Sequence, residues 1–256
     1  MASIIIKMLT FNVVAVFLFG VSLGKVIYDV DFDDDDGKWL SDDEFEGLLE
    51  KPNVPAQVEE VTYKIFLVGK SGVGKTSTIA KLSGNQIPTS HSETAGIQTT
   101  TIYWPGKIQQ FNKVIMFKLQ LWDAGEGALK KFDHIQPACL EKCDCTMYLF
   151  SFVDKSSFDD IPQNFGRFSG PKDTSCKIIM GTKFDQHAHT EITQRDIRDF
   201  EQNWKIPILK IRNIPDNDGK TDFNDVAQIL NIICEHLWYR DVLLSNKTEE
   251  GKISYC

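Results

Sequence analysis

Apolar and polar positions along this chain follow two rhythms that trade places from about residue 60 onward. The strictest alternation runs from Lys113 to Trp122. There Ile115, Phe117, Leu119 and Leu121 make one wholly apolar face, against Val114, Met116, Lys118, Gln120 and Trp122 on the other. A period of two predicts a strand. Shorter runs predict further strands at Tyr63–Val68, Thr99–Trp104, Thr146–Val153, Cys176–Gly181 and Ile208–Ile211, with a turn at Pro105-Gly106. Helical spacing predicts Lys75–Leu82, Gly127–Cys143, Ser156–Phe165, Thr193–Trp204 and Phe223–Tyr239. Gly84 suits the end of the first helix and Thr193 the cap of the fourth. The alternation predicts an α/β domain with a six-stranded, mainly parallel sheet and about five helices.

The pattern divides the chain into an apolar leader over residues 1–25, an acidic leader and linker over 26–60, a folded domain over 61–240 and a tail over 241–256. Pro52 and Pro55 mark the linker. Residues 4–23 are mostly apolar, interrupted by Lys7 and Asn12, and Ser22 and Gly24 follow where a signal peptidase could cut. As a helix, Met8 to Leu23 would reach about 24 Å, short of a bilayer core about 30 Å thick. A membrane anchor, a start foreign to the working protein, and secretion are the three readings of this segment. The last conflicts with the chemistry of the folded domain, so a cytoplasmic location is expected and the leader is discounted.

The net charge of −8 changes little for the domain. Asp29 to Glu46 holds ten acidic residues and one lysine, a local −9, so the other residues sum to +1. A near-neutral domain argues against a nucleic-acid partner. Apolar residues at 42% suffice for a buried core. The six cysteines contain no CxxC pair, which disfavours zinc and fits scattered reduced thiols. The C-terminus, Ser254-Tyr255-Cys256, is not a prenylation box.

Chemistry enters at Gly69-Lys70-Ser71-Gly72-Val73-Gly74-Lys75-Thr76, which fits GxxxxGK[ST] between a strand and a helix. Such a loop turns backbone N–H groups onto phosphates, and the helix N-terminus adds partial positive charge. Lys75 would reach the β- and γ-phosphates and Thr76 would ligate magnesium.

Thr182-Lys183-Phe184-Asp185 closes a predicted strand, where open α/β sheets bind ligands. A carboxylate there can accept hydrogen bonds from the N1–H and exocyclic amine of guanine, and adenine offers no such donor pair. The box resembles the [NT]KxD motif of small GTPases. Thr94-Ala95-Gly96-Ile97, eighteen residues after Thr76, resembles the first switch of Rab-like members, and Leu121-Trp122-Asp123 resembles the strand leading into the second. The TYKIF, GKSGVGKT, ALKKFDH and KFDQ runs sharpen this. The region from about Glu46 to Arg240 resembles the Rem- and Rab-like small GTPases of the ciliogenesis and planar-polarity effector group.

That resemblance implies a Ras-like P-loop G domain that binds GTP or GDP with magnesium. It implies nucleotide contacts from Gly69, Ser71, Gly72, Val73, Gly74, Lys75, Thr76, Ser77, Thr94, Thr182, Lys183 and Asp185. Metal contacts would come from Thr76, Thr94 and Asp123, and Lys75, Gly125 and Glu126 would form the catalytic set. It also implies Fuzzy and Inturned longin-type partners, a place at the ciliary basal body and a monomer outside that complex.

Three positions depart from the family. The second switch reads Asp123-Ala124-Gly125-Glu126-Gly127 where DxxGQ is usual. Glu126 can accept a hydrogen bond from water but cannot donate one to the γ-phosphate, so slow turnover is expected. Ile87 stands where an aromatic usually stacks on the base, and Arg212-Asn213-Ile214 replaces the SAK box, leaving Asn213 as a candidate base contact. These departures keep open a scaffold that binds partners without nucleotide cycling. A P-loop kinase or ATPase is a third reading, opposed by Asp185.

Overall fold

The strand Glu59–Val68 (β2) shows how the chain builds its layers. Tyr63, Ile65 and Leu67 enter one apolar cluster while Phe66 and Val68 enter another on the opposite face. The same alternation repeats in Cys145–Ser151 (β5), whose Cys145, Met147 and Leu149 join the first cluster and Tyr148 and Phe150 the second. A strand buried on both faces needs helices on both sides.

The computed structural model describes residues 27–28, 58–90, 92–108, 113–170, 173–214 and 219–253. The remaining strands are Ile27–Tyr28 (β1), Ile97–Ile108 (β3), Lys113–Ala124 (β4), Cys176–Thr182 (β6) and Ile208–Lys210 (β7). The sheet order is β1-β3-β4-β2-β5-β6-β7. The pairs β4-β2, β2-β5, β5-β6 and β6-β7 are parallel, and β3 runs antiparallel to both β4 and β1. The six expected strands are all present in a mainly parallel sheet. A seventh, β1, adds two residues of the acidic leader to the edge. The apolar leader lies outside the described residues, and among those described no helix is long and apolar enough to cross a membrane.

The helices are Lys75–Leu82 (α1), Glu126–Lys131 (α2), Ile135–Leu140 (α3), Lys155–Asp159 (α4), Ile161–Phe168 (α5), Gln194–Trp204 (α6) and Gly219–Ile253 (α7). Two expected helices are each split. In one unbroken helix Pro137 could not donate to the Asp133 carbonyl, so the break at Phe132–His134 moves this proline into the first turn of α3. Pro162 does the same at the start of α5. Thr193 caps α6 as expected: its hydroxyl accepts from the Asp196 N–H at 3.1 Å, and its own N–H donates to the Asp196 carboxylate at 2.8 Å.

The turn expected at Pro105-Gly106 does not exist, because β3 runs through both residues. Among the described residues β1 pairs only with Lys107 and Ile108, so no described strand on that side asks Pro105 for an N–H. The linker also ends earlier than expected, since Glu59 and Glu60 already pair with β4. Helix α7 runs past Tyr239 to Ile253 through the expected tail, and no proline stops it. Its Val226, Leu230, Ile233 and Leu237 form the stripe that covers the first cluster. Arg240 then ties α7 to the sheet, donating to Asp144 at 2.9 Å and to the Thr174 carbonyl at 2.9 Å.

Candidate functional site

The carboxyl ends of β2, β4, β5 and β6 lie along one rim of the sheet, so the loops after them converge. Gly69–Gly74 follows β2. Gly72 and Gly74 take φ of +79° and +99°, a region that side-chain-bearing residues rarely adopt. A Cβ on Gly69 would stand 2.5 Å from the Leu149 carbonyl oxygen, so only glycine lets the loop pass β5. Lys75 opens α1 and turns back into the loop, donating to the Gly69 and Lys70 carbonyls at 2.8 and 2.9 Å. Burial disfavours its charge and lowers its pKa, while the carboxylates of Asp123, Glu126 and Glu93 partly restore it. Val73 is buried, and Ser77 lies one residue further along α1.

Three predicted residues from three segments meet beside this loop. The Thr76 hydroxyl donates to Asp123 Oδ2 at 2.5 Å, the Thr94 hydroxyl donates to the same oxygen at 3.0 Å, and the two hydroxyls are 3.4 Å apart. Asp123 is 1% exposed, and its other oxygen, Oδ1, is buried without a partner. A desolvated carboxylate oxygen with two hydroxyls at hand is an oxygen set that suits a hard dication. Magnesium fits these residues, and phosphate and water would complete its shell.

The guanine-box residues reach the same loop from β6. The Thr182 hydroxyl donates to the Val73 carbonyl at 2.5 Å, and Lys183 Nζ donates to the Gly72 carbonyl at 3.0 Å. Lys183 itself has φ of +55°, which turns the chain sharply at the strand end. Asp185 makes no side-chain hydrogen bond among the described residues. Asn213 lies against the first turn of α1. Its amide Nδ2 donates to the Thr78 hydroxyl at 3.0 Å and lies beneath Gly74, while its Oδ1 is buried without a partner.

The second switch is tied by contacts that sequence reasoning missed. Glu126 Oε2 accepts from the Ser71 N–H at 2.7 Å and Oε1 accepts from Lys130 at 2.6 Å. Burial opposes ionisation of Glu126, but the Lys130 ammonium and the Ser71 N–H outweigh it and hold the carboxyl below its ordinary range. Glu93 accepts from the Gly127 N–H at 2.7 Å, and the Gly125 N–H donates to the Gly96 carbonyl at 3.2 Å. The i,i+4 spacing of Glu126 and Lys130 was a legible sign of their pairing. No local signal marked Glu93.

The sequence profile of the Ras family matches residues 64–232. This chain belongs to the Ras family. Its similarity to the human protein named Ciliogenesis and planar polarity effector 2 is 44% identity over 205 residues, 76% of this chain and 80% of that protein. The proteins of that name from Xenopus laevis and Danio rerio are 44% and 40% identical, over 78% of this chain and 85% and 79% of their own lengths. Ras-related protein Rab-11B of Dictyostelium discoideum is more distant, at 24% over 65% of this chain and 73% of that protein. The resemblance to the effector group read from the motifs is thereby borne out. The Ras-family profile spans all the loops just described, from β2 through the Asn213 segment.

Proposed function

We propose that this Ras-family chain is a guanine-nucleotide switch whose GTP form binds partner proteins. The observation that carries the reading is the convergence of Thr76 and Thr94 on Asp123, with Asp123 Oδ1 buried and unpartnered. In the proposal Gly69, Ser71, Gly72, Val73, Gly74 and Ser77 cradle the phosphates by backbone and first-turn contacts, and Lys75 neutralises them. Thr76, Thr94 and Asp123 hold magnesium, which would shield the phosphate charge. Thr182 and Lys183 brace the loop, and Asp185 reads the base. Thr94 couples the γ-phosphate to the first switch, and Gly125 brings the second switch against it.

Intrinsic hydrolysis is slow in this reading. Glu126 is engaged by Ser71 and Lys130, and no glutamine stands beside it to orient water. Loss of one positioned group costs about two to three orders of magnitude in rate. The relatives named Ciliogenesis and planar polarity effector 2 support a proposed role in cilium formation. Fuzzy- and Inturned-type proteins are proposed as partners, and the cytoplasm and basal body as the place of action. Outside such a complex the chain is proposed to be a monomer.

The deciding experiment releases nucleotide from the purified chain by denaturation and separates it by chromatography. Bound guanine nucleotide is expected. At a hundredfold excess over Kd, added GTP and magnesium should stabilise the fold by about 2.7 kcal/mol. An empty chain that neither gains nucleotide nor stability would overturn the switch. That result would favour the second reading, a scaffold without nucleotide cycling. Ile87 in place of a stacking aromatic and the loss of the SAK sequence at Arg212-Asn213-Ile214 favour that alternative.

A further inference from the structure

The phosphate loop meets one carboxylate of the chain itself. Glu126 spans 55 residues of sequence to place Oε2 2.7 Å from the Ser71 nitrogen, at the part of the loop where a third phosphate group would draw on backbone N–H groups. The carboxylate is ionised, since Lys130 holds its other oxygen and the pair lowers its pKa. Lys70, the other cation of the loop, bonds Asp160 at 2.9 Å and the Ser156 hydroxyl at 3.1 Å. Lys75 is buried below and committed to two carbonyls. No lysine side chain of the loop therefore bonds Glu126.

We propose that Glu126 is a specificity-determining residue: a tethered anion that takes the Ser71 N–H in place of a γ-phosphate oxygen and so biases the site toward guanosine diphosphate over triphosphate. This rests on the nucleotide-binding reading above and deepens it. A diphosphate leaves the Glu126–Ser71 bond in place. A triphosphate must expel the carboxylate, lose that hydrogen bond and bring its own charge close to an ionised group in a partly desolvated cleft. Lys130 leaves with Glu126, because the two are one helical turn apart on α2. Loading with GTP is thus coupled to the first turn of the second switch.

The test compares Glu126→Gln with the full-length natural chain. Glutamine keeps the length and can still accept from Ser71, but carries no charge. Affinities for GDP and for a non-hydrolysable GTP analogue are measured by competition at fixed magnesium and pH 7.5, with the melting temperature as a control on folding. Glu126→Gln should raise analogue affinity relative to GDP at least tenfold, with GDP affinity unchanged within threefold. Glu126→Asp, too short to reach Ser71 from the same backbone, should move the ratio in the same direction by less. A ratio unchanged in a folded, GDP-binding Gln variant overturns the proposal and leaves the switch reading standing. A chain that binds neither nucleotide, natural or substituted, overturns both.

Discussion

Gly125 lies so close to Thr94 that a Cβ built on it would stand 2.0 Å from the Thr94 carbonyl oxygen. Its own backbone is ordinary, with φ −63° and ψ 138°, so the need for glycine comes from the neighbour and not from the turn. The Gly125 N–H donates to Gly96 on the other side of Thr94. One glycine therefore seats the second switch on the first, and Thr94 can reach Asp123 only while that seat holds.

Gly125→Ala should push the Thr94 segment off Asp123 and leave the core intact. The magnesium dependence of guanine-nucleotide affinity should weaken by at least tenfold. The melting temperature should fall by only a few degrees, because none of the core-cluster residues moves. Magnesium titration of nucleotide binding, read beside a thermal melt, checks both halves.

Asp185 is free to accept hydrogen bonds, and Lys183 and Thr182 fix its loop against Gly72 and Val73. Asp185→Asn replaces one acceptor with an N–H donor. Guanine, which presents donors there, should lose at least tenfold in affinity, whereas xanthine, with a carbonyl at C2, should gain. Competition between GDP and XDP for the natural and substituted chains measures the exchange. A substituted chain that still prefers GDP would remove Asp185 from the base contact.

Periodicity and spacing carried much of this site. The strands were legible because both faces of β2 and β5 are apolar, and Thr76, Thr94 and Asp123 were legible because short motifs keep their order along the chain. The helix breaks were overlooked at Pro137 and Pro162, although proline chemistry marks them. What could not be read were contacts made only in the fold. Ser71 to Glu126 spans 55 residues and Glu93 to Gly127 spans 34, and neither pair leaves a pattern in the chain. The same holds for the candidate base contact Asn213, whose amide bonds Thr78, 135 residues away.

A polar cluster around Arg240 helps fasten the long helix α7 to the sheet. Arg240 bonds Asp144, Asp241 and the Thr174 carbonyl, and the Tyr63 hydroxyl donates to Asp241 at 2.8 Å. The Arg240 side chain is 14% exposed. Arg240→Ala would remove the cation from the Asp144 carboxylate, leaving it the Lys64 N–H at 2.8 Å, and should cost about 2–3 kcal/mol in urea unfolding. Arg240→Lys, which cannot bridge three acceptors from one planar group, should recover less than half. Nucleotide affinity should be unchanged in both, since this cluster lies at the opposite end of β2 from the phosphate loop.

His236 is expected to make the fold sensitive to mild acid. It is partly buried on α7, and desolvation lowers its pKa below the ordinary 6.5. Between that folded value and 6.5 the unfolded chain binds a proton that the folded chain does not. Stability is therefore full above pH 6.5 and falls as pH drops through the window, by no more than about 1.4 kcal/mol per pH unit. The depressed carboxylates act lower. The Ser156 hydroxyl holds Asp154 down and the Thr193 hydroxyl holds Asp196 down, so their contributions are lost only below about pH 4. Urea midpoints taken from pH 7.5 to 5 should slope downward in the natural chain and flatten in His236→Gln. Equal slopes in the two proteins would assign the acid sensitivity to another group.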